Sequence, residues 1–343
     1  MRTMLKMTFP LHWIDFEKLR EIPSRQSPFK ISNVVDLLEL WCVSSIDKEI
    51  STSQLINFFD DDLAIIEDDK ELEVDMDTDI SGRMKKEEFF NFVHIRLKYR
   101  RDTWGRKWPF AINVSRNNIT IKYLPNEFTV NYLAVLFCSN LHLVKESTRP
   151  LLTTAFELVS FQHLASIHSN ESGWITKAMG ANTKNIHTYL GSTPKQKMEA
   201  LGQDLCCSLN PNYRPTTSGD GGIDLVSFLK FGDSRASGIV FGQCACTNDK
   251  RKILDKISET SPDSIRDKII VDTTPLNYLY SPLDLKTEIR PSGFDLDGLR
   301  GAIVIDRTRI LLRDFDFTCV IDSTLRSNIY GFIYLRENYY EAA

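Results

Sequence analysis

Residues 219–250 of this chain read GDGGIDLVSFLKFGDSRASGIVFGQCACTNDK, and no other stretch limits the available folds as much. Two apolar runs, GIDLVSFLKF and GIVFGQCAC, are bounded by Gly, Asp and Ser, the pattern of two strands joined by a turn. The segment before them, PKQKMEALGQDLCCSL, predicts a helix with Pro194 in its first turn and Met198, Leu201 and Leu205 on one side. The segment after them, NDKRKILDKISE, predicts a charged helix. Further strands are expected at KIIVDTT, GAIVIDRTRILL and NIYGFIYL. Strands interleaved with helices in this way define an α/β class, a mixed sheet flanked by helices.

Upstream the pattern changes. VVDLLELWCV and EEFFNFVHIRL have helical apolar spacing, and WPFAINVSRNNITIKYL alternates on both sides of a turn, as a β-hairpin does. NYLAVLFCSNLHLV and RPLLTTAFELVSFQHLASIH follow as apolar helices. A chain of 343 residues holds one large or two modest domains. The change in pattern divides it into a mainly helical N-terminal domain with a β-hairpin over 1–150, for binding DNA or a partner, and a mixed-sheet domain over 151–343.

The net charge of −4 conceals an asymmetry. Residues 60–79 carry eleven acids and one lysine, and the stretch that follows is strongly basic. RLKYRRDTWGRKW is either the solvated face of a helix or a surface for a phosphate backbone, with Arg96, Lys98, Arg100, Arg101, Arg106 and Lys107 as its contacts. The longest apolar runs are too short for a transmembrane span, and no secretory leader or membrane partner is expected. Seven cysteines, including adjacent Cys206 and Cys207 and the pair Cys244 and Cys246, form neither a disulfide framework nor a zinc pattern. A reducing cytoplasm is the expected location. Cys244 and Cys246 are expected to serve as small core residues. Asp306 and Arg307 in VIDRTRIL form either a structural ion pair or a contact to DNA.

The chemistry gathers in the third section. Phosphodiester hydrolysis needs a divalent cation to stabilise charge on the phosphate and sharpen a water nucleophile. Magnesium keeps several waters and needs only one or two carboxylates. Asp224 at a strand end and Glu199 on the preceding helix are candidate carboxylates, with Glu157 in AFELV a rival to Glu199. Gln243 on the next strand adds a carbonyl oxygen. Mg2+ or Mn2+ is the expected cofactor.

At these residues the chain resembles the PD-(D/E)xK restriction-endonuclease-like superfamily, in particular Mrr-like nucleases. Those carry a helix Glu, then G-x-DGGIDL on one strand and Q-x-K on the next. Here Met198–Glu199, GDGGIDL at 219–225 and GQCA at 242–245 follow in that order. GRKWPF, NYLAVLFCSNL and DRTRIL are further similar to a group of bacterial antiphage-defence nucleases. The resemblance implies a restriction-endonuclease-like fold for 151–343 and a metal-dependent DNA endonuclease, an effector of antiphage defence. Other subunits of a defence system, or further copies of the chain, are the implied protein partners.

One position departs from the pattern. Ala245 stands where the family has lysine. In some members the lysine sits on the following helix and reaches back. Lys252, then Lys250, is the expected substitute here, with Lys256 on the same helix. The alternative is a non-catalytic nucleic-acid-binding or regulatory subunit with an inactive site. Calcium control belongs to that alternative, because DTDISGRMKKEE at 77–88 fits the calcium-loop template, with Gly82 at the sixth position and Glu88 at the twelfth.

Overall fold

The structure is a computed structural model, which describes residues 13–20, 30–54, 77–115, 118–179, 188–189, 193–214, 222–231, 236–285, 301–313 and 321–335. The chain divides into two compact units. The first takes in Met1–Arg149, Leu285–Asp295 and Ile321–Ala343, and the second Pro150–Asp284 and Leu296–Val320. A boundary near residue 150 is therefore present, but the C-terminal segment returns to the first unit instead of completing the second.

The first unit is built on helices that are apolar nearly all round. Every residue of the helix Thr129–Ser139 is buried, as is most of Lys30–Ser44. Strands β1 (Glu49–Ser51), β2 (Phe110–Val114) and β3 (Ile119–Tyr123) form an antiparallel sheet in the order β1-β3-β2. The hairpin expected at 108–124 is thus β2 and β3, and β1 adds a third strand too short to register as a pattern.

A helix from Asp77 to Trp104 runs through the whole calcium-loop match at 77–88. That match is corrected: ligands at loop positions one, three and five converge only when the backbone turns sharply at Gly82, and here it stays helical.

A second correction concerns the basic stretch. Arg100 is wholly buried and donates to Asp36 Oδ1 at 2.7 Å and to Glu39 Oε1 at 2.8 Å. Trp108 Nε1 and the Tyr132 hydroxyl also donate to Glu39, while Ser139 Oγ and Asn140 Nδ2 donate to Asp36. Burial pushes the Glu39 carboxyl above its usual range, and the Arg100 guanidinium opposes that shift. Arg96 is buried as well, near Tyr99. The charge pattern assigns both arginines to a phosphate backbone. The helix instead turns them into the core, where paired acids compensate the buried Arg100 charge. Lys98, Arg101 and Arg106 are exposed and Lys107 is half-buried. Arg101 pairs with its neighbour Asp102, and Arg106 lies over the Phe128 ring.

The second unit holds a five-stranded mixed sheet in chain order: β4 (Trp174–Ala178), β5 (Leu225–Lys230), β6 (Ala236–Cys244), β7 (Leu276–Tyr280) and β8 (Ile303–Ile305). β4, β5 and β6 run antiparallel, and β7 and β8 continue parallel to β6. The helix Pro194–Leu205 begins at a capping box of Thr193 and Gln196, with Pro194 in its first turn. It packs Met198, Leu201 and Leu205 with Val226, Phe228, Ile239 and Phe241. Alternation along β6 puts Cys244 on the opposite face, where the helix Arg149–Ile167 supplies Ser160 beside Cys244 and His163 beside Tyr280. Among the described residues no helix is long and apolar enough to cross a membrane.

Three expected strands are corrected. KIIVDTT makes only an isolated bridge, Ile269 to Leu209, because Ile265 and Ile269 instead fill the core around Met198 and Leu201; the strand is Leu276–Tyr280. GAIVIDRTRILL is cut at Asp306, whose carboxylate accepts the Arg309 N–H at 3.0 Å and starts the helix Arg307–Leu312. NIYGFIYL belongs to the helix Ser323–Ile333, capped by Asp322, and its Ile329 and Phe332 join Leu325 in helical spacing.

Candidate functional site

The site lies at the end of the sheet where β6 finishes and β5 begins. Gln243, two residues past Phe241, shares that residue's face and is fully buried. Its Nε2 donates to Glu259 Oε2 at 3.0 Å, while its Oε1 is buried with no hydrogen-bond partner. A buried acceptor left unpaired costs about 1–3 kcal/mol, and such an atom commonly belongs to an ordered water or ion.

Asp224 is seven per cent exposed and stands one residue before β5. Its backbone N–H donates to Gly242 at 3.0 Å and its carbonyl accepts the Met179 N–H at 2.8 Å. Its Oδ2 accepts the Cys244 N–H at 2.6 Å, so the carboxylate extends the β5–β6 ladder past the last backbone pair. Asp224 and Gln243 are therefore neighbours across adjacent strand ends, as the motif implies.

Glu259 closes the helix Lys250–Glu259 that follows β6. Its Oε2 also takes the Lys256 ammonium at 3.0 Å. Lys268 Nζ and Ser264 Oγ hold its backbone carbonyl at 2.7 and 2.9 Å. Gly222, in the turn before Asp224, has φ +75°, and a Cβ there would lie 3.3 Å from both Glu259 Cβ and Oε2. Glycine is required at this point both for the backbone angle and for the close approach of Glu259.

Burial pushes the Cys244 thiol well above its usual range, and the charges of Asp224 and Glu157 push the same way. The nearby Ser160 hydroxyl and the charge of Lys256 oppose them. The thiol is held neutral, which suits a core residue and not a nucleophile.

The remaining expected residues are placed differently. Glu199 is half-exposed, and its ion pair is with Lys195 on its own helix at 3.8 Å. Lys252 is exposed, one helical turn before Lys256. Lys250 opens the helix, and its side chain lies outside the described residues. Ala245 is buried, and its N–H donates to Tyr280. Asp306 and Arg307 are both buried, which suits a structural role; Arg307 Nε donates to Pro282. Glu259 is the residue that the motif does not reveal. The three-residue spacing of Lys256 and Glu259 at the end of KISE is its only signal.

Among the described residues no group of three His, Cys, Asp or Glu side chains is arranged to hold a metal ion. A carboxylate and an amide oxygen side by side nevertheless suit a hard cation that keeps most of its water. Asp224 and Gln243, opposite each other at the end of the β5–β6 pair, are the candidate donors. Comparison of the chain with protein-family profiles, curated proteins and solved structures finds no match.

Proposed function

We propose that the second unit is a metal-dependent phosphodiesterase that cuts DNA, with Mg2+ or Mn2+ held by Asp224 and Gln243. The observation that carries this is the buried, unpartnered Oε1 of Gln243 next to a buried carboxylate at one sheet end. The order of elements supports it: the helix Pro194–Leu205, a strand after Asp224, a strand ending past Gln243, then a lysine-bearing helix leading to a parallel strand. The cation, when bound, supplies charge stabilisation on the phosphate and a more acidic water. Asp224 and Gln243 hold and orient it. The place in bacterial antiphage defence, with other subunits as partners, rests on the resemblance of the GDGGIDL and GQCA motifs.

Lys256 fills the role left by Ala245. Its ammonium shares Glu259 with Gln243, whereas Lys252 points to solvent. Lys256→Ala is expected to lower cleavage by about two to three powers of ten, the usual effect of losing one transition-state charge partner. Lys252→Ala should leave it unchanged. Nicking of supercoiled plasmid with Mg2+ or Mn2+, abolished by EDTA, tests the activity itself.

A non-catalytic DNA-binding subunit is the second reading, favoured by the use of one Asp224 oxygen for the Cys244 N–H. DNA binding without cleavage under any divalent cation, alone or with partners, would select it. Either reading puts the DNA backbone on the exposed Lys98, Arg101 and Arg106, with the half-buried Lys107 beside them. Replacing Lys98, Arg101 and Arg106 by Gln should lower the slope of log K against log salt by about 0.9 for each phosphate no longer neutralised. An unchanged slope in a binding titration would make that helix face solvent-facing only.

A further inference from the structure

We propose that Glu259 is the positioning residue of this site, fixing the Gln243 amide so that its carbonyl oxygen, and not its NH2, faces the cation. The inference rests on the cation reading of Asp224 and Gln243. An amide side chain is nearly symmetric in shape, and nothing in its own packing decides which end faces which way. An ionised carboxylate accepts hydrogen bonds and donates none, so it decides the matter. Glu259 Oε2 takes Gln243 Nε2 at 3.0 Å, which leaves Oε1 turned away from it, buried and unpartnered.

Glu259 is itself held from four directions. Lys256 fixes its carboxylate, Lys268 and Ser264 fix its backbone carbonyl, and Gly222 leaves room for its Cβ and Oε2. The close approach to Gly222 ties the residue to the turn that carries Asp224. A side chain so constrained passes its position on to Gln243. Partners of this kind typically change metal affinity by about 10- to 100-fold when replaced.

The test is calorimetric titration of the full chain with Mn2+ alone, in parallel with plasmid nicking. Glu259→Gln is expected to weaken Mn2+ binding by about 10- to 100-fold, because two facing amides pair equally well either way round. Adding Gln243→Glu should restore the affinity, since the amide introduced at position 259 then donates to a carboxylate whose second oxygen faces the cation. Gln243→Glu alone is the control: an added ligand charge strengthens Mn2+ binding by itself, so the rescue counts only if Gln243→Glu raises affinity more in the Glu259→Gln background than in the wild-type chain. Glu259→Asp, which keeps the charge but withdraws the acceptor, provides the same loss if the Gln variant does not fold. Wild-type affinity in Glu259→Gln, or a folded double variant without recovery, overturns the role of Glu259 while leaving the cation site standing. A wild-type chain that takes up no Mn2+ overturns both.

Discussion

Asp224→Asn is expected to reduce divalent-cation-dependent cleavage by about three powers of ten, matching the several kcal/mol of charge stabilisation that a bound cation supplies. Asparagine is the informative replacement because, on the proposed reading, Asp224 both holds the cation and closes the sheet end. Its Oδ2 accepts the Cys244 N–H at 2.6 Å, and the amide oxygen of Asn can accept the same bond. Alanine cannot, and it strands a buried N–H at the end of β6 at a cost of about 1–3 kcal/mol. Asp224→Ala is therefore expected to disturb the fold as well as the site. Loss of cleavage in Asp224→Ala would mix a missing ligand with a loosened sheet end. A folded Asp224→Asn protein with Mn2+ affinity and nicking rate unchanged would remove Asp224 from the site.

Arg100→Met is expected to destabilise the first unit by about 3–5 kcal/mol, the usual cost of removing one partner from a buried ion pair. Asp36 and Glu39 would stay behind with side chains two per cent exposed or less, and without their shared guanidinium. Domains commonly have about 5–15 kcal/mol in total, so the variant sits near the threshold for folding at all. Replacing the two acids by Leu as well should not restore stability. Trp108 Nε1, the Tyr132 hydroxyl, Ser139 Oγ and Asn140 Nδ2 donate to those acids and would be left without these acceptors. Urea denaturation followed by tryptophan fluorescence reads the effect. A midpoint shift worth less than about 1 kcal/mol would mean that the network contributes little.

The basic stretch at 96–107 shows how far composition reaches. Six cations in twelve residues announce a charged helix, but composition does not say which side of the helix faces inward. Arg96 and Arg100 are four residues apart and so share a face, and that face meets the acids of the helix Lys30–Ser44. Those partners lie about sixty residues away in the chain. The strands expected beyond residue 268 differ from the observed elements for a related reason. KIIVDTT and NIYGFIYL are short apolar windows, and in such windows only tertiary packing separates strand, loop and helix.

What the sequence determined by itself was local. The capping box at Thr193, the hairpin at 110–123 and the pairing of β5 with β6 all follow from neighbouring residues, and so does the meeting of Asp224 with Gln243 at one sheet end. What only the tertiary structure decided was which distant side chains join them. The connection 245–249 lets the last turn of the following helix, and not its first, lie against Gln243. Lys252 is nearer to Ala245 along the chain, yet Lys256, about 6 Å further along the helix axis, is the lysine beside Glu259. Distance in sequence counts bonds, whereas the reach of an ammonium depends on where a helix axis comes to rest on a sheet.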